Sequence, residues 1–172
     1  LDGVCETICT DGSVGSCPVV VEGDVHILDD DSFAALESVT HIQGSLTITS
    51  YNGILSLPTL EEVTGSVTLS ASALVSGLNL PKLAGVGGSL QFEGGDALNS
   101  VNLPMLVSIQ GVLRIENLET VLTLSLPALN TLASGLVVTG NQKLESLLLD
   151  EMTGPIPEMI VTNNPKFPQC AV

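Results

Sequence analysis

Glu93 and Glu116 stand 23 residues apart, and each lies two positions from a polar neighbour, Gln91 and Arg114 respectively. Two carboxylates held side by side can share the acid–base work of glycosidic cleavage or hold a divalent cation between them. Thr47, Thr49 and Thr68 offer hydroxyls at a similar spacing, which on a flat surface could order water. The two histidines, His26 and His41, have no serine or cysteine motif beside them, and the chain holds no G-x-S-x-G, H-E-x-x-H or phosphate-binding glycine loop. Whether these groups form a site depends on whether residues 23 apart in sequence become neighbours in space.

The rest of the chain says that they do. Gly65, Gly88 and Gly111 fall on one 23-residue step, as do Pro58, Pro81, Pro104 and Pro127. The aliphatic pair Val67/Leu69 recurs as Leu90/Phe92, Leu113/Ile115, Leu136/Val138 and Met159/Val161, which assigns all five pairs to the interior. Alternation around the glycine has period two, the mark of a strand with one buried face. A second apolar pair precedes each proline (Leu55/Leu57, Leu78/Leu80, Val101/Leu103, Leu124/Leu126, Leu147/Leu149), and a third set follows it (Leu60/Val63, Leu83/Val86, Leu106/Ile109, Leu129/Leu132). A repeat this short cannot bury its own apolar face and must stack on its neighbours.

The expected fold is an all-β solenoid, a short right-handed parallel β-helix of about 6–7 turns with a 21–24 residue repeat. Proline fixes φ and lacks a donor, so it suits the corner where a strand ends, and glycine is assigned the backbone freedom of the next corner. Asp30 to Leu36 reads as a short N-terminal capping helix with Asp or Ser at its N-cap. The organisation follows: residues 1–20 as a cysteine-containing cap segment, 21–164 as the β-helix and 165–172 as a C-terminal cap.

Composition narrows the function. Leu, Val and Ile supply nearly all of the 44% hydrophobic content, with no Trp and 2% aromatics, as a narrow interior of aliphatic layers requires. Four Lys and Arg against nineteen Asp and Glu give a net charge of −15, with no basic run to neutralise phosphates, so nucleic acid is excluded as a partner. The acidity keeps a very apolar chain soluble. No stretch reaches the length of a membrane span, and the chain opens at Leu1-Asp2 without a signal core, so any export signal has already been removed or lies outside this sequence. Cys5, Cys9, Cys17 and Cys170 all lie outside the repeats, a placement that fits end-stapling disulfides in an oxidising compartment and no common zinc spacing.

The Gly44-Ser45-Leu46-Thr47-Ile48 strand, the Leu-Pro corners followed by Leu-x-x-Val, the early helix and the closing Asn164-Pro165-Lys166-Phe167-Pro168-Gln169-Cys170 together resemble the receptor L-domain family over residues 17 to 170. That family includes the ligand-binding L domains of the insulin and epidermal growth factor receptors and related repeats in fungal and bacterial surface proteins. The resemblance implies a short right-handed β-helix related to leucine-rich repeats, with disulfides at its ends, non-enzymatic, exported, and used for recognition or cell-surface structure. The Cys-rich module that follows L domains in those receptors is absent from this chain, so hormone binding is not carried over.

The register also maps the exterior. One outward row of the main sheet runs His26, Thr47, Thr68, Gln91, Arg114, Val137, Ile160, and the next runs Leu28, Thr49, Ser70, Glu93, Glu116, Thr139, Thr162. The candidate binding face is therefore Thr47, Thr49, Thr68, Gln91, Glu93, Arg114 and Glu116, with no catalytic residue, metal or cofactor assigned. Polysaccharide-cleaving β-helices need long loops and aromatic platforms, whereas these turns are minimal and the aromatics are Phe33, Tyr51, Phe92 and Phe167 alone. Ice binding needs an unbroken threonine array, and this one stops at Gln91/Glu93 and Arg114/Glu116. The expected function is a non-enzymatic, secreted or cell-surface recognition or adhesion module whose partner is a protein or cell-surface ligand. The alternative is a structural subunit joined end to end to copies of itself. Two of the three N-terminal cysteines can pair locally, and the third could reach Cys170, stay free, or bond to Cys170 of the next molecule.

Overall fold

The structure is a computed structural model that describes residues 17–70, 74–94 and 97–168. Cys5, Cys9 and Cys170, and with them the disulfide alternatives, lie outside the described residues. The chain winds as a parallel solenoid whose turns lie on one another. Its main sheet has seven strands: Val25–Ile27, Leu46–Ile48, Val67–Leu69, Leu90–Glu93, Val112–Glu116, Gly135–Thr139 and Met159–Thr162. The second sheet, joined to the main one across the glycine corner, has six: Val20–Glu22, His41–Gln43, Glu62–Val63, Gly85–Val86, Ser108–Ile109 and Thr131–Leu132. A third face is broken in two, with Asn52–Ser56, Leu74–Asn79 and Ser100–Asn102 in one sheet and Thr123–Ser125 and Ser146–Leu148 in the other.

Residues 23 apart pair directly, as Leu90 with Leu113 and Leu113 with Leu136. The three apolar sets of each turn meet inside, where Leu57, Leu60, Val63, Leu80, Leu83, Val86, Leu90, Phe92, Leu113 and Ile115 are all buried. The core thins toward the C-terminus, where Leu147, Leu149 and Val161 are half-buried and Met159 is 58% exposed. Met159 belongs to the inward set by register, but among the described residues no further strand follows its own in the main sheet, and its side chain is not sandwiched as Leu136 is.

The corners have distinct causes. At each proline the preceding leucine carbonyl accepts from the leucine three residues on, at 3.1–3.4 Å for Leu57–Leu60, Leu80–Leu83, Leu103–Leu106 and Leu126–Leu129. Proline thus occupies the second position of a tight turn, where its φ fits and its missing N–H costs nothing. The glycine corner differs from expectation. None of Gly44, Gly65, Gly88 and Gly111 has a positive φ, so conformational freedom is not what selects glycine there. The reason is contact: a Cβ on Gly88 would sit 2.4 Å from Ser66 Oγ, and one on Gly111 2.4 Å from Ser89 Oγ.

Those serines form a ladder between turns. Ser45 N–H donates to Asp24 Oδ1, Ser66 N–H to Ser45 Oγ, Ser89 N–H to Ser66 Oγ and Val112 N–H to Ser89 Oγ, at 2.7–3.2 Å. Beside it the glycine amides stack, Gly65 on Gly44, Gly88 on Gly65 and Gly111 on Gly88, each at 2.8 Å. Where Ser134 replaces glycine, its N–H to Gly111 O stretches to 3.3 Å and its hydroxyl donates to Gln110 O.

A second ladder is buried. Asn141 and Asn164, 0% and 2% exposed, lie one turn apart under the end of the main sheet. Asn141 Oδ1 accepts from Leu118 N–H, its Nδ2 donates to Ile115 O and Asn164 Oδ1, and its own N–H also donates to Asn164 Oδ1. Asn164 Nδ2 closes the stack on the Val138 and Thr162 carbonyls. Each amide ties its turn to the neighbouring ones: Asn141 satisfies the Leu118 N–H just past the strand end, and the Ile115 and Val138 carbonyls gain a second donor beside their sheet partners.

The helix α1 spans Asp30–Ala34. Its N-cap is Asp29, just upstream of the stretch that the sequence marks as helical, and Asp29 and Ser32 form a reciprocal capping box. The hydrogen bond from Ser32 N–H holds the Asp29 carboxyl below its ordinary pKa. Phe33 leans from α1 onto Tyr51, ring centres 5.1 Å apart, tying the helix to the following turn.

Candidate recognition face

The outward rows of the main sheet lie where the alternation puts them. His26, Thr47, Thr68, Gln91, Arg114, Val137 and Ile160 are successive strand partners, and Glu93, Glu116, Thr139 and Thr162 form the parallel row. Thr49 and Ser70 continue that second row: their N–H groups donate to Ile27 O and Ile48 O of the preceding turn. All seven candidate residues therefore share one surface, each of them half-buried by its neighbours.

At its centre Arg114 Nη1 donates to Glu116 Oε1 at 2.9 Å, with side chains 35% and 23% exposed. Glu93 is the direct strand partner of Glu116, so two carboxylates stand one strand spacing, about 4.8 Å of backbone, apart. Like charges at that distance repel, and the guanidinium on the Glu116 strand offsets part of this. Gln91, beside Arg114, adds an amide with both donor and acceptor. The result is a flat polar patch with a fixed charge pattern.

Next to the patch, toward the C-terminal end, the face dips into a groove of about 440 Å³ lined by Arg114, Glu116, Val137, Thr139, Glu158 and Ile160 among others. Ile160 is 41% exposed, and Thr139 Oγ1 lies 2.6 Å from Thr162 Oγ1 on the groove's flank. Glu158 was not singled out from the sequence. Its signal was available, since it stands one step before Ile160 in the outward alternation.

The second sheet carries a polar cluster that sequence reasoning also passed over. His41 Nε2 is 3.9 Å from Glu62 Oε2, His41 Nδ1 is 2.9 Å from Thr40 Oγ1, and Lys82 Nζ is 4.0 Å from Glu61 Oε1. Cys17 lines the same shallow depression as Thr40, His41 and Lys82. These exposed pairs are of the kind that contributes little to stability. Toward the middle of this sheet the surface is made of small residues, Ala84, Gly85 and Ser108.

Residues 40–144, more than half of the chain, match the family model described as Receptor L domain. No curated protein and no solved structure matches it.

Proposed function

The chain belongs to the receptor L domain family, and from that premise we propose that it is a recognition module that takes a protein ligand on the outer face of its main sheet, outside the cell. The family is a ligand-binding, non-catalytic one. The observation that carries the reading is the alignment of Gln91, Glu93, Arg114 and Glu116 on one flat surface with a groove beside them. A protein partner suits such a surface: mixed charge gives register and selectivity, and the groove accepts an anchoring side chain. L domains are extracellular in receptors, and among the described residues no helix is long and apolar enough to cross a membrane.

End-to-end assembly draws support from the terminal placement of the cysteines and from the open edge of the last strand. Against it stands the charge, since two copies bring −15 each to the contact. Recognition is therefore the reading preferred.

Arg114→Glu should place a third carboxylate beside Glu93 and Glu116 and abolish capture of an extracellular protein that the native chain retains. A mismatched buried charge typically costs 2–5 kcal/mol, so the loss should exceed about thirtyfold. Glu61→Lys on the second sheet should leave capture intact. Equal capture by all three proteins would place the ligand elsewhere.

A further inference from the structure

The main sheet ends at Met159–Thr162, and among the described residues no strand pairs with its far side. Which backbone groups face that side follows from the turns before it. Inward residues hand their N–H forward to the next turn, as Leu46 to Ser66 O, Val67 to Ser89 O and Leu136 to Glu158 O. Outward residues hand theirs back, as Thr49 to Ile27 O and Ser70 to Ile48 O. Met159 and Val161 are the inward residues of the last strand, so their N–H and C=O groups are directed away from the solenoid.

The side chains there are also incomplete. Met159 is 58% exposed and Val161 half-buried, whereas their counterparts one turn earlier, Leu136 and Val138, are 4% and 0% exposed. Among the described residues both the ladder and the core layer are open at this end, and such an edge is a template for one more strand.

We propose that this edge binds an extended segment of a basic partner protein by strand addition, extending the main sheet by one parallel strand. Alternate apolar residues of the segment would cover Met159 and Val161, and the residues between them would lie outward beside Glu158 and Ile160. Glu158 is exposed there, Glu116 lies deeper in the adjoining groove, and the chain carries −15 overall, so the outward residues should be Lys or Arg. The same charge disfavours a second copy of this chain as the occupant. The segment would hydrogen-bond to the strand edge and not to the sheet face, although Glu116 of the face lines the groove beside it.

The probe is a short synthetic peptide alternating valine and lysine, titrated by fluorescence anisotropy into the full chain at low and moderate salt. Binding should be lost when glutamate replaces lysine, and Glu158→Lys should weaken binding of the lysine peptide. N-methylation separates strand addition from simple charge attraction. The lysine amides are those that would donate to Met159 O and Val161 O, so methylating them should weaken binding at least about tenfold, while methylating the valine amides should not. Arg114→Glu should retain the peptide, which separates this site from the face. No binding, or equal binding by the two methylated forms, overturns the proposal. Sedimentation of the chain alone as oligomers that the peptide disperses would overturn it too, by assigning the edge to another copy.

Discussion

Asn141→Leu should destabilise the protein by about 3–5 kcal/mol in equilibrium denaturation, far more than an isosteric change at a buried site usually does. The side chain is 0% exposed and bridges three turns: it accepts from Leu118 N–H and donates to Ile115 O and Asn164 Oδ1. Leucine fills the volume but strands the Leu118 N–H in an apolar interior, at about 1–3 kcal/mol, and removes the hydrogen bonds to Ile115 O and Asn164 Oδ1, at about 1 kcal/mol each. Neighbouring Gln142→Leu, at an exposed position, should change stability by no more than about 0.5 kcal/mol. A loss at Asn141 as small as that at Gln142 would mean that the buried amides do not hold the turns together.

Gly111→Ala should cost about 2–3 kcal/mol, and the cause is the distance between turns and not backbone strain. The added methyl would lie 2.4 Å from Ser89 Oγ, 2.6 Å from Ser89 N and 2.7 Å from Gly88 C. Two of those three contacts are backbone and cannot swing aside, so the turns must separate and lengthen the hydrogen bonds of Gly111 and Val112. Thermal unfolding should report a fall of about 4–12 °C for a chain of this size. Gly154 has nothing within 4 Å and no left-handed φ, so Gly154→Ala should leave the melting point nearly unchanged. Equal behaviour of the two variants would sink the close-contact account.

Both predictions rest on features the sequence showed only in part. The solenoid itself was readable, because Val67, Leu90, Leu113 and Leu136 repeat one burial requirement and a strand pairing of period 23 satisfies all of them at once. The outward rows came with it, since alternation leaves Gln91 and Arg114 no other side. The role expected of glycine was conformational, but a special conformation and a close approach select the same residue, and only the neighbouring turn's coordinates show that close approach is the cause here. Ser45, Ser66 and Ser89 follow those glycines and could have signalled the contact.

The asparagine ladder was harder to see. Asn141 and Asn164 are 23 apart, but Leu118 holds the preceding place, and a pair surrounded by other polar residues does not stand out as a row. Met159 shows the opposite failure. Its type and register fit the core, yet burial depends on a covering turn, which periodicity alone does not supply. The pairing of His41 with Glu62 on the second sheet follows from a step of 21 residues, and Lys82 reaches Glu61 diagonally across a step of 23, while the reading was led by the 23-residue rows of the main sheet.

The claim on which the binding face depends is that Thr47, Thr68, Gln91, Arg114, Val137 and Ile160 form one straight row, and pulsed electron spin resonance measures it directly. Spin labels introduced through unnatural amino acids leave the cysteines untouched. Labels at Thr47 and Ile160, five strand spacings apart by register, should lie about 24 Å from each other, and moving the first label to Thr68 should shorten this by about 5 Å. A distance that stays constant or lengthens on that move would contradict the stacked coil and the recognition face built upon it.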